Sequence, residues 1–279
     1  MSEAARLDAL ALAGDLPGVL LDAKRLAAMA PGVHGRRRSG QGEAFWQYRD
    51  HRPEDGARLV DWRRSARGDR YYVREREREA AQTAWLWLDA NPGFDWTSDA
   101  RRPTKLRRAR TLALALAILL ARGGERVGVL GGQSRSGARA VDRLAGDLLA
   151  APSDAAPTAQ SCVLFFSDFY APLESWRARL ARCAEVGATG ALVMTADPAE
   201  DDFPYQGRTL FEAPGVRGGV LIGRAEAART EYARRLLAHR NAIRALGAEH
   251  RFPALLHRTD HSAAPTLSML IALVTERGP

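Results

Sequence analysis

Lysine is almost absent from this chain of 279 residues. Of its 41 lysine and arginine residues, only Lys24 and Lys105 are lysine, so arginine carries nearly all of the formal net charge of +8. A positive balance is compatible with acidic partners or nucleic acid, but an arginine- and alanine-rich composition can also reflect genome composition. The charge alone therefore identifies no partner.

Cysteine is scarce too. Cys162 opens an apolar run and Cys183 lies in a helical pattern, and the chain has no Cys-x-x-Cys motif or metal-type spacing. This predicts two buried, reduced thiols in a cytoplasmic protein. The longest apolar run, Thr111 to Ala121, is shorter than the roughly 20 residues of a membrane span, and the N-terminus lacks the apolar core of a signal peptide. We therefore expect a cytoplasmic protein without a membrane span.

Complete catalytic motifs are missing. The glycines at 128, 131 and 132 are not followed by the Gly-Lys-Ser/Thr of a phosphate-binding loop, and Gly-x-Gly-x-x-Gly and Gly-x-Ser-x-Gly do not occur. His257, Asp260 and His261 run from a predicted strand end into a loop, where a histidine beside an aspartate indicates a structural hydrogen bond. These absences favour a non-enzymatic protein.

Apolar runs alternate with amphipathic helical patterns after residue 80. Continuous apolar runs predict strands that are buried on both faces, and helical periodicity predicts helices between them. The predicted strands include 83–88, 126–130, 161–166, 189–195 and 252–257, and the predicted helices include 103–122, 172–186 and 225–250. We also predict that residues 138–141 return as a hairpin partner of strand 126–130. The pattern predicts an α/β fold, a Rossmann-like parallel sheet with helices on both faces.

Before that sheet, residues 39–79 alternate arginine, carboxylate and aromatic side chains. An arginine can pair with a carboxylate and stack on a ring at the same time, so we expect a network in which Asp61 pairs with nearby arginines. We call residues 39–79 the signature segment and predict that it is an interaction surface. Its candidate residues are Arg49, Arg52, Asp55, Arg58, Asp61, Trp62 and Arg67.

Several spaced motifs of this segment resemble the domain of unknown function 58 family. They are the glycine pair Gly40 and Gly42, the pattern Arg-x-x-x-Pro-x-Asp from Arg49 to Asp55, the pair Asp61-Trp62, and the pair Ala66-Arg67. The resemblance implies two parts: residues 1–80, with N-terminal helices and the signature segment, and residues 81–279, a von Willebrand A-like domain. It also implies a MoxR-type AAA+ ATPase as partner, and hence an adaptor role in protein complex assembly or maturation.

The same resemblance implies a metal-ion-dependent adhesion site at the carboxyl ends of the strands, where parallel sheets bind ligands. The matching residues are Asp89, Asn91, Ser167 and Asp168. Gly93 stands where a serine ligand is expected, and residues 131–137 offer no threonine. We therefore expect a degenerate site and no resident cofactor, with Mg²⁺ as the metal that the oxygen donors suit.

Two other functions stay open. The arginines with interleaved rings favour a single-stranded nucleic-acid-binding module, although the acids among them favour internal ion pairs instead. The second alternative is a Mg²⁺-dependent hydrolase that uses Asp89 and Asp168.

Overall fold

The structure, a computed structural model, describes residues 21–28, 45–50, 60–66, 68, 70–76, 82–214 and 217–276. The chain divides into two compact units. The smaller unit is His34–Ala81, and the larger one joins Met1–Val33 to Gln82–Pro279.

The larger unit is built on a sheet of five parallel strands in the order β4-β3-β5-β6-β9. Its strands are β3 Thr83–Leu88, β4 Arg126–Val129, β5 Cys162–Ser167, β6 Thr189–Ala196 and β9 Ala254–Arg258. Its helices are α1 (21–28), α3 Lys105–Arg122, α4 Ala138–Asp147, α5 Leu173–Glu185, α6 Pro198–Asp202, α7 Ala225–Glu249 and α8 Ala263–Glu276. A two-stranded hairpin, β7 Thr209–Glu212 and β8 Gly219–Ile222, precedes α7.

The sheet is buried on both faces, which is why its strands read as continuous apolar runs. On one face, Leu86, Leu164 and Val193 pack with the apolar sides of α1, α3, α4 and α8. On the other face, Phe165 and Met194 pack with α5 and α7. The predicted α/β fold with helices on both faces is confirmed. Within the described residues, no helix combines the length and the apolar character needed to cross a membrane.

The prediction for residues 138–141 is wrong. These residues begin helix α4 and do not form a strand. The strand 126–129 instead makes an isolated antiparallel bridge between Val127 and Arg135. Gly137, with φ of 81°, turns the chain between this bridge and the helix, a conformation that glycine adopts without steric cost. The alternating sequence Ala-Arg-Ala-Val fits a strand, but alanine and arginine are also strong helix formers.

The smaller unit contains an antiparallel strand pair and a short helix. β1 Phe45–Asp50 pairs with β2 Tyr72–Arg76, with a bulge between Phe45 and Gln47. The short helix α2, Trp62–Ser65, is capped by Asp61, whose side chain accepts a hydrogen bond from the Arg64 N–H. This cap gives a structural reason for the aspartate of the Asp61-Trp62 pair, because an aspartate immediately before a helix accepts a hydrogen bond from one of the free N–H groups of its first turn.

Candidate functional site

The carboxyl ends of β3 and β5 bring the four predicted metal-site residues together. The Ser167 hydroxyl donates to Asp89 Oδ2 at 2.5 Å, and the Asn91 N–H donates to Asp89 Oδ1 at 2.9 Å. The Asn91 side-chain amide donates to Asp168 Oδ1 at 3.4 Å. The grouping follows from the parallel sheet, since adjacent strands β3 and β5 end at the same edge.

A lysine ammonium lies inside this group of carboxylates. Lys105 Nζ donates to Asp168 Oδ2 at 2.9 Å and to Glu200 Oε1 at 2.6 Å, and the side chains of Lys105 and Asp168 are each only 2% exposed. The ammonium also lies 5.2 Å from the ring centroid of Tyr170 and 6.0 Å from that of Trp96. Lys105 is the first residue of α3, capped by Thr104. Two carboxylates and two rings therefore surround this cation.

Glu200 is held in place by a capping box at the start of α6. Its Oε2 accepts the backbone N–H of Asp197, while Asp197 Oδ1 accepts the N–H of Ala199. The other oxygen of the buried Asp197 accepts from the Ser98 N–H and the Thr97 hydroxyl. Burial raises the pKa of Glu200, and the Lys105 charge opposes that rise. The capping box uses Oε2 of Glu200, and Oε1 accepts the hydrogen bond from Lys105.

The loop after β5 is fixed in a strained conformation. Phe169 has φ of 62°, in the left-handed region that bulky residues rarely adopt. Its N–H donates to Ser167 Oγ at 2.8 Å, and its carbonyl accepts from His239 Nε2 at 2.8 Å. Its buried ring lies 4.4 Å from that of Trp176. These contacts hold the loop and so position Asp168.

The residues present do not fit a divalent metal. Mg²⁺ requires about six oxygen ligands in near-octahedral order. Here the Asn91 carbonyl oxygen accepts from the Gly93 N–H, and its amide nitrogen faces Asp168. The Lys105 ammonium already neutralises Asp168. Within the described residues, no group of three or more His, Cys, Asp or Glu side chains is arranged to hold a metal ion.

We expect millimolar Mg²⁺ to leave the thermal stability of the protein unchanged. The Lys105 ammonium would repel an ion placed near Asp168. Differential scanning fluorimetry with EDTA, Mg²⁺ and Mn²⁺ at constant ionic strength checks this. A rise of several degrees with Mg²⁺ that Asp89→Ala abolishes would contradict it.

The sequence reasoning did not find the two central residues of this cluster. In the sequence, Lys105 is distinguished only by being one of two lysines in an arginine-rich chain. Glu200 follows Asp197 by three residues, which is the spacing of a capping box. The signal that could have found Lys105 is its chemistry: a compact ammonium is easier to bury between carboxylates than a forked guanidinium is.

The structure describes the side chains of two of the signature residues, Asp61 and Trp62. Arg52, Asp55, Arg58 and Arg67 lie outside the described residues, and Arg49 is described only by its backbone in β1. Asp61 caps α2. Trp62 is exposed, with its ring 5.8 Å from that of Tyr71.

His257, inside β9, and His261, after it, make different contacts. His257 Nδ1 lies 3.0 Å from the Thr266 hydroxyl. Asp260 instead pairs with Arg258 through two hydrogen bonds. His261 Nε2 lies 3.9 Å from Asp260. His257 is therefore a buried group separate from the Asp260 pair.

The β7–β8 hairpin presents apolar side chains to solvent. Leu210 and Leu221 are register partners, and they are 53% and 52% exposed. On its other side, Phe211 stacks on Phe203 at 5.7 Å, and Phe203 contacts Tyr232 of α7 at 4.8 Å. The hairpin is thus anchored through one face and open on the other.

Fold and site together define an α/β protein with a buried lysine at the carboxyl edge of its sheet, paired with Asp168 and Glu200. The family described as "Protein of unknown function DUF58" matches residues 47–242, and the chain belongs to this family. Among the solved structures, the chain is similar to the conserved hypothetical protein BatB from Bacteroides thetaiotaomicron. It is 10% identical with a TM-score of 0.37, and the match covers 70% of this chain and 100% of that one. No curated protein matches the sequence.

Proposed function

We propose that this chain is a non-enzymatic adaptor that docks a protein partner on the open face of the β7–β8 hairpin. The partner we propose is a MoxR-type AAA+ ATPase, which the family resemblance implies, in the assembly or maturation of protein complexes. The observation that carries the proposal is the exposed apolar pair Leu210 and Leu221 on an anchored hairpin.

The hairpin has the properties of a docking element. Its two exposed leucines are register partners on the same face of the hairpin, and neighbouring exposed apolar groups mark interaction sites more often than isolated ones do. The aromatic contacts of Phe211 and Phe203 fix its position before a partner arrives. A preorganised surface loses less conformational entropy on binding.

The carboxyl edge supports an adaptor more than a hydrolase. A Mg²⁺-dependent hydrolase would need Asp89 and Asp168 to hold the ion. Asp89 is instead bonded to Ser167 and Asn91, and Asp168 is paired with Lys105. Both carboxylates are thereby occupied with structural contacts, so catalysis through them is disfavoured.

The test is binding to a co-encoded MoxR-type AAA+ ATPase. We expect the two proteins to co-purify in EDTA, because no metal is needed to complete the docking surface, and we expect this chain to change the ATPase rate in Mg²⁺. Leu221→Asp should weaken binding by about tenfold or more, since it places a charge in the apolar contact.

Met269→Asp is the matched control. Met269 is 53% exposed, against 52% for Leu221, and it lies on α8, which packs on the opposite face of the sheet from α7. It should bind like the wild type. If the wild type neither co-purifies nor alters the ATPase rate, the proposed function is wrong; if Met269→Asp weakens binding equally, the hairpin is not the docking surface.

A further inference from the structure

Four polar side chains meet under α3 at the ends of β6 and β9. Thr195 and His257 are register partners on these adjacent parallel strands, so their side chains lie side by side on one face. Thr259 follows His257 by two residues, and its N–H continues the ladder to Ala196 O at 2.9 Å. Arg108 reaches this point from α3, because its Nη2 donates to Thr259 O at 2.9 Å.

Within the described part of the chain, each of these four side chains carries a buried polar atom without a hydrogen-bond partner. The atoms are Arg108 Nε, Thr195 Oγ1, His257 Nε2 and Thr259 Oγ1. The residues Thr195, His257 and Thr259 are at least 98% buried. Buried polar atoms are nearly always satisfied in native proteins, so four together indicate a bound group that they share.

The donors and charges favour an anion over a water molecule. The Nε–H of Arg108 can only donate, and both threonine hydroxyls can donate. Arg108 has no carboxylate within ion-pair distance in the described part of the chain, while the neighbouring Arg107 pairs with Asp22 and Arg258 pairs with Asp260. A water molecule would satisfy hydrogen bonds but leave this partly buried charge uncompensated.

His257 can also present a donor. The Thr266 hydroxyl lies 3.0 Å from Nδ1, and when it donates to Nδ1 the proton of the neutral imidazole is on Nε2. Burial, and then the Arg108 charge, lowers the pKa of His257 to about 4. At neutral pH the ring is therefore uncharged, and in this tautomer the buried Nε2 carries a hydrogen that can be donated.

We propose that Arg108, Thr195, His257 and Thr259 form a binding site for a small tetrahedral oxyanion. Phosphate is the chemistry that fits, since it accepts several hydrogen bonds and pairs with arginine. The source is either free inorganic phosphate or the phosphoryl group of a nucleotide. The site shares no residue with the Lys105 cluster or the hairpin, and it stands apart from the proposed adaptor function.

The experiment is titration calorimetry with inorganic phosphate, sulfate and AMP in chloride buffer at constant ionic strength. We expect saturable phosphate binding to the wild type, weakened about tenfold or more in Arg108→Gln. Binding of phosphate but not AMP identifies the free ion, and tighter binding of AMP identifies a nucleotide.

Arg101→Gln is the control, because it removes the same charge from an exposed arginine paired with Asp99. Thr195→Val is the second variant: it removes an unpartnered hydroxyl, so it should keep its melting temperature without phosphate and still bind phosphate more weakly. No saturable binding to the wild type, or equal loss in Arg101→Gln, means water or an adventitious ion only and overturns the proposal.

Discussion

Replacing Lys105 by methionine should lower the free energy of unfolding by about 3–5 kcal/mol, because it leaves two buried carboxylates without their cation. The two hydrogen bonds from Nζ, to Asp168 and Glu200, are lost together, and the 2% exposed side chains of Lys105 and Asp168 gain no compensating water. Urea denaturation followed by tryptophan fluorescence measures the change.

The only other lysine supplies a matched control. Lys24 lies 3.5 Å from Asp142, and the two side chains are 53% and 62% exposed. Lys24→Met should therefore cost at most about 1 kcal/mol. If Lys105→Met is no less stable than Lys24→Met, Lys105 is not the internal cation of this site.

The stability lost in Lys105→Met should also depend on pH. Burial raises the pKa of Glu200, and Lys105 opposes the rise, so the pKa rises further once the lysine is gone. A carboxyl group with a raised folded-state pKa binds more protons when folded, and stability then falls as pH rises through that window. We expect a smaller loss at about pH 5 than at about pH 8.

Gly190→Ala should prevent folding or destabilise the protein by about 3 kcal/mol or more. Gly190 pairs with Val163 on the adjacent strand. A Cβ at this position would overlap the Val163 carbonyl group and come within 2.9 Å of the Phe252 ring. Both neighbours lie in the buried sheet, so they cannot move aside cheaply. Soluble expression and urea denaturation measure the effect.

Gly146→Ala is the control with the opposite sign. Gly146 lies in α4, and a Cβ there would meet nothing within 4 Å. Alanine should stabilise the helix by about 0.5–1 kcal/mol. A Gly190→Ala variant as stable as the wild type would mean that the pairing of β5 with β6 is wrong.

The strands of the sheet are well predicted because a strand buried on both faces is a continuous apolar run, which can be recognised in the local sequence. The run Thr83–Leu88 is a strand with the predicted bounds, and the edge that gathers Asp89 and Asp168 follows from parallel order. The first four residues of helix α4, 138–141, were assigned to a strand because four residues of alternating pattern do not separate a strand from the start of a helix.

The internal cation could not be predicted in the same way. Nothing near Lys105 in sequence shows that its side chain is buried, because its partners are supplied by the loop after β5 and by the short helix α6. Asp168 is 63 residues away and Glu200 is 95 residues away. The sequence of the basic stretch 101–110 predicts a solvated surface. Only the folded structure shows that one cation of this stretch, the Lys105 ammonium, is buried.

These long separations also set when the Lys105 contacts form during folding. Loop closure over 63 and 95 residues loses chain entropy before the ion pairs can stabilise anything. The ammonium must keep its water until β5 and β6 have paired and brought both carboxylates to it. We therefore expect the Lys105 ion pairs to slow unfolding more than they speed folding, which would prolong the lifetime of the folded carboxyl edge.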